Sequence, residues 1–353
     1  MLKISKISKK SFFSSDIGID LGTANTLVYV RGRGLVINEP SVVAVNDKTG
    51  QMVAVGRQAK IMIGKTPPHI RAVRPLSHGV ISDFEVTEEL LAYLINKAQG
   101  GRTQFFGPRV VIGVPTGVTN VESRAVRDAA LTAGAREVYI IEEPAAGAIG
   151  AKLPVNDAVG TMVLDIGGGT CDIAVLSLGG TVTSKSSHIA GDRFNDNIID
   201  YVRNEFRLSI GEGTAEEVKI AIGSVMPQGE VLSRAIRGRD LATGLPREIE
   251  LSSEHVREAL APSLDGLMDA LKEVIEQTPP ELLSDVLERG VVVFGGGALL
   301  RGLPELLAKM LGVPVHVAPD PLTAVVRGTG IITEDPQPFS DMFLHEEAIL
   351  SQT

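Results

Sequence analysis

The chain has no tryptophan, few aromatic residues (4%) and a single cysteine among 353 residues. One cysteine excludes an internal disulfide framework and fits a reducing cytoplasm. The six histidines show no ligand spacing, and neither a CxxC pair nor a Ser/His/Asp set occurs. The usual metal-ligand and nucleophile signatures are therefore missing. No apolar run reaches the roughly 18–20 residues that cross a bilayer. An excess of basic residues is missing too: the net charge is −9, which gives no case for a nucleic-acid partner. There is no low-complexity tract.

What remains is an ordinary globular composition, 44% apolar and 22% charged, with 38 glycines. The length suffices for two domains, each with its own core. Strand and helix patterns alternate. Residues 17–21, 26–30, 41–46, 109–114 and 137–141 read as strands, and 88–99, 121–133 and 144–151 as helices. The pattern restarts with a strand at 161–165, a helix at 192–206, a strand at 291–294 and a helix at 303–311. This predicts a duplicated α/β fold with a central cleft, joined near residues 152–160. Two interruptions, at about 32–75 and about 185–250, predict small subdomains on the rim of the cleft. The residues after Asp335 read as a loosely held tail.

Two stretches repeat one design. Gly18-Ile19-Asp20-Leu21-Gly22-Thr23-Ala24-Asn25-Thr26 and Leu164-Asp165-Ile166-Gly167-Gly168-Gly169-Thr170-Cys171-Asp172 each run from an apolar strand through Asp, Gly and Thr into another strand. Such a tip exposes backbone N–H groups and a hydroxyl, which suits phosphate oxygens. Thr23, Ala24 and Asn25 present donors at the first tip, and Gly167, Gly168, Gly169 and Thr170 at the second. Asp20 and Asp165 suit a metal-coordinated water, because Mg²⁺ keeps most of its waters. One Asp-x-Gly-Thr is an ordinary hairpin turn; two at matching places point to a clamp on a triphosphate. Cys171 reads as a small buried hydrophobe.

Other motifs are less specific. Gly295, Gly296, Gly297 and Ala298 form a strand–helix turn that could pack against a base or sugar. Thr214-Ala215-Glu216-Glu217 has the form of a capping box opening a helix, on which Glu216 and Lys219 share a face. They read either as a surface ion pair or as ribose and base contacts. Glu142 and Glu143, just before Pro144, end a strand. Either could orient water toward a terminal phosphate, and either could simply stabilise a helix N-terminus.

Taken in order, these elements resemble the actin/Hsp70/sugar-kinase nucleotide-binding fold, a duplicated ribonuclease H-like α/β architecture. In detail they resemble the MreB family of bacterial actins, from about residue 16 to residue 332. Matching stretches include residues 19–27, Asn38-Glu39-Pro40-Ser41-Val42-Val43, residues 165–170, Ser209-Ile210-Gly211-Glu212, Thr278-Pro279-Pro280-Glu281-Leu282 and residues 295–302. The resemblance implies ATP and Mg²⁺ as ligands, with phosphate contacts at both tips and the metal beside Asp20 and Asp165. It implies nucleoside contacts from Glu216, Glu217, Val218 and Lys219, and closure over the adenosine by Gly295, Gly296, Gly297, Ala298 and Leu299. It places the water-orienting carboxylate at Glu143, with Glu142 the alternative. Hydrolysis is then slow and tied to assembly of double, antiparallel protofilaments. Thr170-Cys171-Asp172 departs from the Thr-Thr-Glu usual in that family.

The family resemblance also implies attachment to the inner face of the cell membrane and cell-wall elongation partners. Residues 1–15 carry Lys3, Lys6, Lys9 and Lys10 with five bulky apolar residues and no acid, and fit an anionic surface. The loop at 100–108 sets Phe105 and Phe106 beside glycines and a proline, and matches the family's membrane loop. The predicted organisation is a basic tail (1–15), a first lobe (16–152), a second lobe (153–335) and a tail (336–353) returning to the first lobe. A chaperone of the Hsp70 type and a small-molecule kinase share the fold. The first would need a peptide-binding part after the nucleotide domain, and the second a catalytic Asp and a polar sugar pocket, for which the sequence carries no signal.

Overall fold

A computed structural model of the chain describes residues 15–77, 79–100, 107–227 and 229–344. The basic tail up to residue 14, and Phe105 and Phe106, lie outside the described residues. Two five-stranded sheets repeat one topology. The first runs in the order Glu137–Glu142, Arg109–Val114, Ile17–Leu21, Asn25–Val30, Gly34–Pro40. The second runs Val315–Val317, Val291–Phe294, Thr161–Ile166, Cys171–Ser177, Gly180–Ser187. In each, a three-stranded antiparallel meander is extended by two parallel strands. The registers correspond: Asp20 lies between Leu27 and Gly113, and Asp165 between Asp172 and Phe294. The duplication thus carries both aspartates to the same place in their sheets.

Three of the apolar clusters account for the two lobes and their join. Ile17, Leu91 and Ile112 belong to the first lobe's core, and Leu164, Phe194 and Leu267 to the second's. A third contains Val111, Ile141 and Ala146 together with Val163, Phe294 and Val325. It binds the lobes to each other behind the cleft. Here the helix Glu143–Gly150 crosses the helix Ala324–Glu334 at backbone contact. A Cβ on Gly150 would lie 1.9 Å from the Ala324 carbonyl oxygen, and one on Gly328 only 1.7 Å from that of Ala146. The run of Ala and Gly in 145–150 is what permits this approach.

Each interruption of the repeat builds a small three-stranded sheet. Met52–Val55, Val43–Asn46 and Ile70–Val73 form one, and Leu208–Ser209, Ser233–Asp240 and Pro246–Ser252 the other. Two expectations need correction. The helix at Glu212–Ile222 begins two residues before Thr214, with Gly211 as its N-cap, so Thr214 is an interior residue and no capping box forms there. The segment after Asp335 is not loosely held as far as residue 344. Phe343 bridges to Ile141 and stacks on Tyr139 at 4.8 Å, and the Leu344 N–H donates to the Ile140 carbonyl at 2.9 Å. These residues bury Met342 and Phe343 on the first lobe's edge strand.

The helix crossing makes a prediction. Gly328→Ala should destabilise the protein by about 1–3 kcal/mol, the usual cost of overpacking. Thermal melts should fall by several degrees, and an unchanged melting temperature would show that the crossing tolerates a methyl group.

Candidate functional site

The strand Ile17–Leu21 delivers Asp20 to the floor of the cleft, and the turn that follows projects Thr23 and Ala24. The turn is stapled from behind. The Ser41 hydroxyl donates to the Gly22 carbonyl at 2.5 Å, it lies 2.8 Å from the Thr26 hydroxyl, and the Ser41 N–H donates to the Ala24 carbonyl. Thr161–Ile166 delivers Asp165 in the same way, and Gly167, Gly168, Gly169 and Thr170 form the second turn.

The two turns meet. A Cβ on Gly168 would lie 2.5 Å from the Ala24 Cβ, and one on Gly169 would lie 2.6 Å from the Thr23 Oγ1. Only glycine fits at these two positions. The Thr23 hydroxyl also accepts the Gly79 N–H at 3.0 Å. Beneath the meeting point lies a cavity of about 90 Å³. Asp20, Gly22, Thr23, Ala24, Asn25, Glu143, Asp165, Gly167, Gly168, Gly169, Thr170 and Gly295 line it.

The two candidate glutamates part company. Glu143 opens the helix Glu143–Gly150 and faces the cavity. Glu142 turns away, accepting the Thr181 hydroxyl at 3.1 Å and the Gly117 N–H at 3.4 Å. The structure therefore removes Glu142 from the cleft.

The nucleoside-side residues are not gathered there. Glu216 pairs with Lys60 at 2.7 Å, and Glu217 with Arg234 at 2.7 Å on the outer surface. Val218 is fully buried in the second lobe's core. Lys219 donates to the Gly191 carbonyl at 2.7 Å, directly behind the second turn, since the Gly191 N–H in turn donates to the Gly167 carbonyl. Of the third glycine cluster only Gly295 lines the cavity; Gly296, Gly297, Ala298 and Leu299 form a 3-10 turn beyond it, with Ala298 buried and Leu299 exposed.

Sequence reasoning missed Leu27, Gly79, Pro115, Pro321, Leu322 and Val325, which complete the lining. They come from a strand, a hairpin turn, the loop after Arg109–Val114, the 3-10 turn Pro321–Thr323 and the helix Ala324–Glu334, and no local pattern announces them. It also missed that the lobes are tied by charge. Arg74 of the first lobe pairs with Asp192 at 3.3 Å and closely with Glu212, beside the Lys60–Glu216 pair. The i, i+4 spacing of Glu212 and Glu216 was a readable signal that one helix face offers two carboxylates.

Four carboxyls share the floor and the strand beside it. Burial pushes Asp20 up to about 7 and Asp172 to about 6; for Asp172, hydrogen bonds from the Ser186 and Thr170 hydroxyls and the Thr116 N–H pull the other way. Burial, then the charges of Asp20, Asp165 and Asp172, raises Glu143 well above the carboxylate range. Asp165 is raised by burial, then by Asp172 and Asp20. Hard oxygen donors that repel one another suit a divalent cation such as Mg²⁺. Among the described residues no three His, Cys, Asp or Glu side chains are close enough to cage a metal. The donor set fits an ion that keeps its own waters and takes the remaining oxygens from a phosphate. Cys171 is fully buried, and burial raises its thiol, so it is a core residue.

Fold and site together define a two-lobed protein of the actin-like class, with paired hairpins over a cavity floored by acids. A family profile described as MreB/Mbl protein matches residues 14–340. The cell shape-determining protein MreB of Escherichia coli (strain K12) is 53% identical over 325 residues, 91% of this chain and 94% of that protein. A crystal structure of MreB 5 of Spiroplasma citri bound to AMPPNP superposes with a TM-score of 0.88 at 40% identity, covering 92% of this chain and 97% of that one. A MamK double helical filament superposes with a TM-score of 0.77 at 25% identity, covering 91% and 99%. The chain belongs to the MreB/Mbl family.

The acidic floor yields a pH prediction. Asp20 releases its proton near 3.8 in the unfolded chain and near 7 in the fold. Between these values the folded state holds a proton that the unfolded state has lost, so stability falls as pH rises through this window. Asp20→Asn removes the penalty. Without nucleotide or divalent ions, its melting temperature should exceed that of the parent at pH 8 by a few degrees and by less at pH 5. Equal differences at both pH values would place the effect elsewhere.

Proposed function

We propose that this protein is an ATP-dependent, filament-forming bacterial actin that assembles on the inner face of the cell membrane and organises cell-wall synthesis to set rod shape. The observation that carries the proposal is the meeting of the two glycine–threonine turns over Asp20, Glu143 and Asp165, in a chain of the MreB/Mbl family. The AMPPNP-bound relative supports a nucleoside triphosphate as ligand, and the MamK filament supports self-association.

Backbone N–H groups of the two turns hold the phosphates from both sides, with the Thr23 and Thr170 hydroxyls as added donors. Asp20 and Asp165 would hold Mg²⁺ through its waters, and the ion would supply positive charge among the carboxyls and to the phosphate oxygens. Glu143 then works as a carboxylate and orients a water toward the terminal phosphate. Its raised proton affinity holds it protonated, and so unavailable as a base, until nearby positive charge favours the carboxylate, which fits slow hydrolysis. A triphosphate between the turns must separate Gly168 from Ala24, so binding resets the angle between the lobes. Lys219 supports the second turn from behind, and Glu216 reaches a ribose only by releasing Lys60.

Family membership disfavours the chaperone and kinase readings. The proposed partners are a second copy of the chain in antiparallel double protofilaments, the anionic membrane and the wall-elongation machinery. Phe105, Phe106 and the basic tail are the proposed membrane contacts.

Electron microscopy of the purified chain with ATP, Mg²⁺ and anionic vesicles should show paired filaments on the lipid surface. Persistent monomers across salt and lipid conditions would overturn the filament reading. Glu143→Ala should slow phosphate release by about 100-fold or more while ATP still binds. Glu142→Ala should leave turnover near that of the parent, and the reverse pattern would reassign the water-orienting role.

A further inference from the structure

The strand Ile17–Leu21 begins at the end of the first lobe opposite its turn, and Asp16 stands there, buried. Arg109 holds Asp16 most closely: its guanidinium lies 2.7 Å from Oδ2, and its backbone N–H donates to Oδ1 at 3.3 Å. Two further guanidinium groups crowd the same carboxylate. Arg31 stands 3.5 Å from Oδ2 and Arg136 3.5 Å from Oδ1, and their side chains are 44% and 47% exposed. Glu334, itself half exposed, engages one edge of Arg31 at 3.1 Å. Asp16 and Glu334 are two acids against three arginines, so the cluster keeps a net positive charge. The two outer arginines make only long contacts to Asp16 and present the rest of their planar forks to solvent.

This end of the lobe is also where the two proposed membrane anchors leave the fold. The Ser15 carbonyl, at the root of the tail, accepts the Gln99 side-chain amide at 3.0 Å. Gly107, at the root of the loop carrying Phe105 and Phe106, packs on the 134–136 backbone, where a Cβ would lie 2.0 Å from the Gly134 oxygen and 3.1 Å from the Arg136 nitrogen. Arg33 adds a fourth cation on the same side, donating to the Ala98 carbonyl at 2.6 Å.

We propose that Arg31 and Arg136, set in place by the buried Asp16–Arg109 pair, recognise the phosphate of an anionic lipid headgroup. The site rests on the membrane part of the proposed function and adds to it a ligand class and named residues. Arginine suits the task because its planar fork matches two phosphate oxygens at once, and a guanidinium gives up water more readily than an ammonium. Apolar anchors set depth; the arginines make attachment depend on lipid charge.

The test is co-sedimentation of the full chain with vesicles of phosphatidylcholine, with and without phosphatidylglycerol. The parent should prefer the anionic vesicles. Arg31→Gln and Arg136→Gln should each weaken that binding roughly fivefold, and the pair roughly 25-fold, in line with the usual attraction per basic residue at an anionic surface. Both side chains are half exposed, so melting temperatures should stay near that of the parent; the single variants serve if the pair unfolds. A parent that prefers anionic vesicles, with variants that bind equally well, overturns the headgroup site and leaves membrane attachment standing. A parent that binds neither vesicle overturns both. Inorganic phosphate, at matched ionic strength, distinguishes the source: if it raises the melting temperature of the parent alone while vesicle binding is the same for parent and variants, the site takes free phosphate and the lipid assignment falls.

Discussion

The contact between two backbone turns governs the rest of this molecule. Thr23 and Ala24 of one lobe touch Gly168 and Gly169 of the other at distances that leave no room for a Cβ on either glycine. Behind them, Ser41 braces the first turn and Gly191 the second. Neither turn can shift without moving the strand that carries its aspartate. Anything inserted between the turns therefore acts on whole sheets, and the close-packed helix crossing at Gly150 and Gly328 is the place where that motion can pivot. Packed elements of this kind respond by rotating as bodies more readily than by deforming.

Charge distributes itself around that contact in opposite senses. On the floor, acids face acids and hold protons they would release in water. On the rim, Lys60 and Arg74 of the first lobe meet Glu216, Glu212 and Asp192 of the second. The rim draws the lobes together while the ionised floor pushes them apart. Cation binding on the floor and loss of the rim pairs would move the lobes in opposite directions, so the cleft angle reads out a balance between the two. Asp192 belongs to both systems: its side chain takes Arg74, and its N–H donates to the Gly168 carbonyl at 2.7 Å, within the second turn. Through this residue a change at the rim reaches the second turn across one peptide.

The turns and both floor aspartates were legible because strand, Asp, Gly and Thr are local in sequence and occur twice. Their equivalence in register follows from the duplication. The helices ending at Gln99 and Thr132 were legible from apolar spacing and following glycines. The edge strand Gly34–Pro40 was not, because it carries Gly and Pro at its ends and has little alternation. Ser253–Gln277 also escaped notice, since Pro262 sits inside it and interrupts an otherwise helical pattern. The choice between Glu142 and Glu143 could not be made from adjacent letters. It depends on Gly117 and Thr181, distant in sequence, which draw Glu142 to the outer side. That residues 216–219 do not share one face has a related reason. Successive helical positions point in different directions, so Glu216 faces the other lobe, Glu217 the solvent and Val218 the core.

The Thr170-Cys171-Asp172 departure falls into place on the same geometry. Along the strand Cys171–Ser177, neighbouring side chains point to opposite faces. Cys171 joins the second lobe's apolar core, where a small hydrophobe suffices. Asp172, on the other face, accepts the Thr116 N–H of the first lobe at 3.0 Å. It is absent from the lining of the cavity. Its carboxyl thus ties lobe to lobe beside the floor, and its charge still reaches Glu143 and Asp165. A carboxylate accepts a backbone N–H more strongly than a neutral acid does. Ionisation of Asp172 therefore tightens the tie between the lobes and at the same time raises the proton affinity of Glu143. Asp172 thus couples the contact between the lobes to the protonation of Glu143 without lining the cavity.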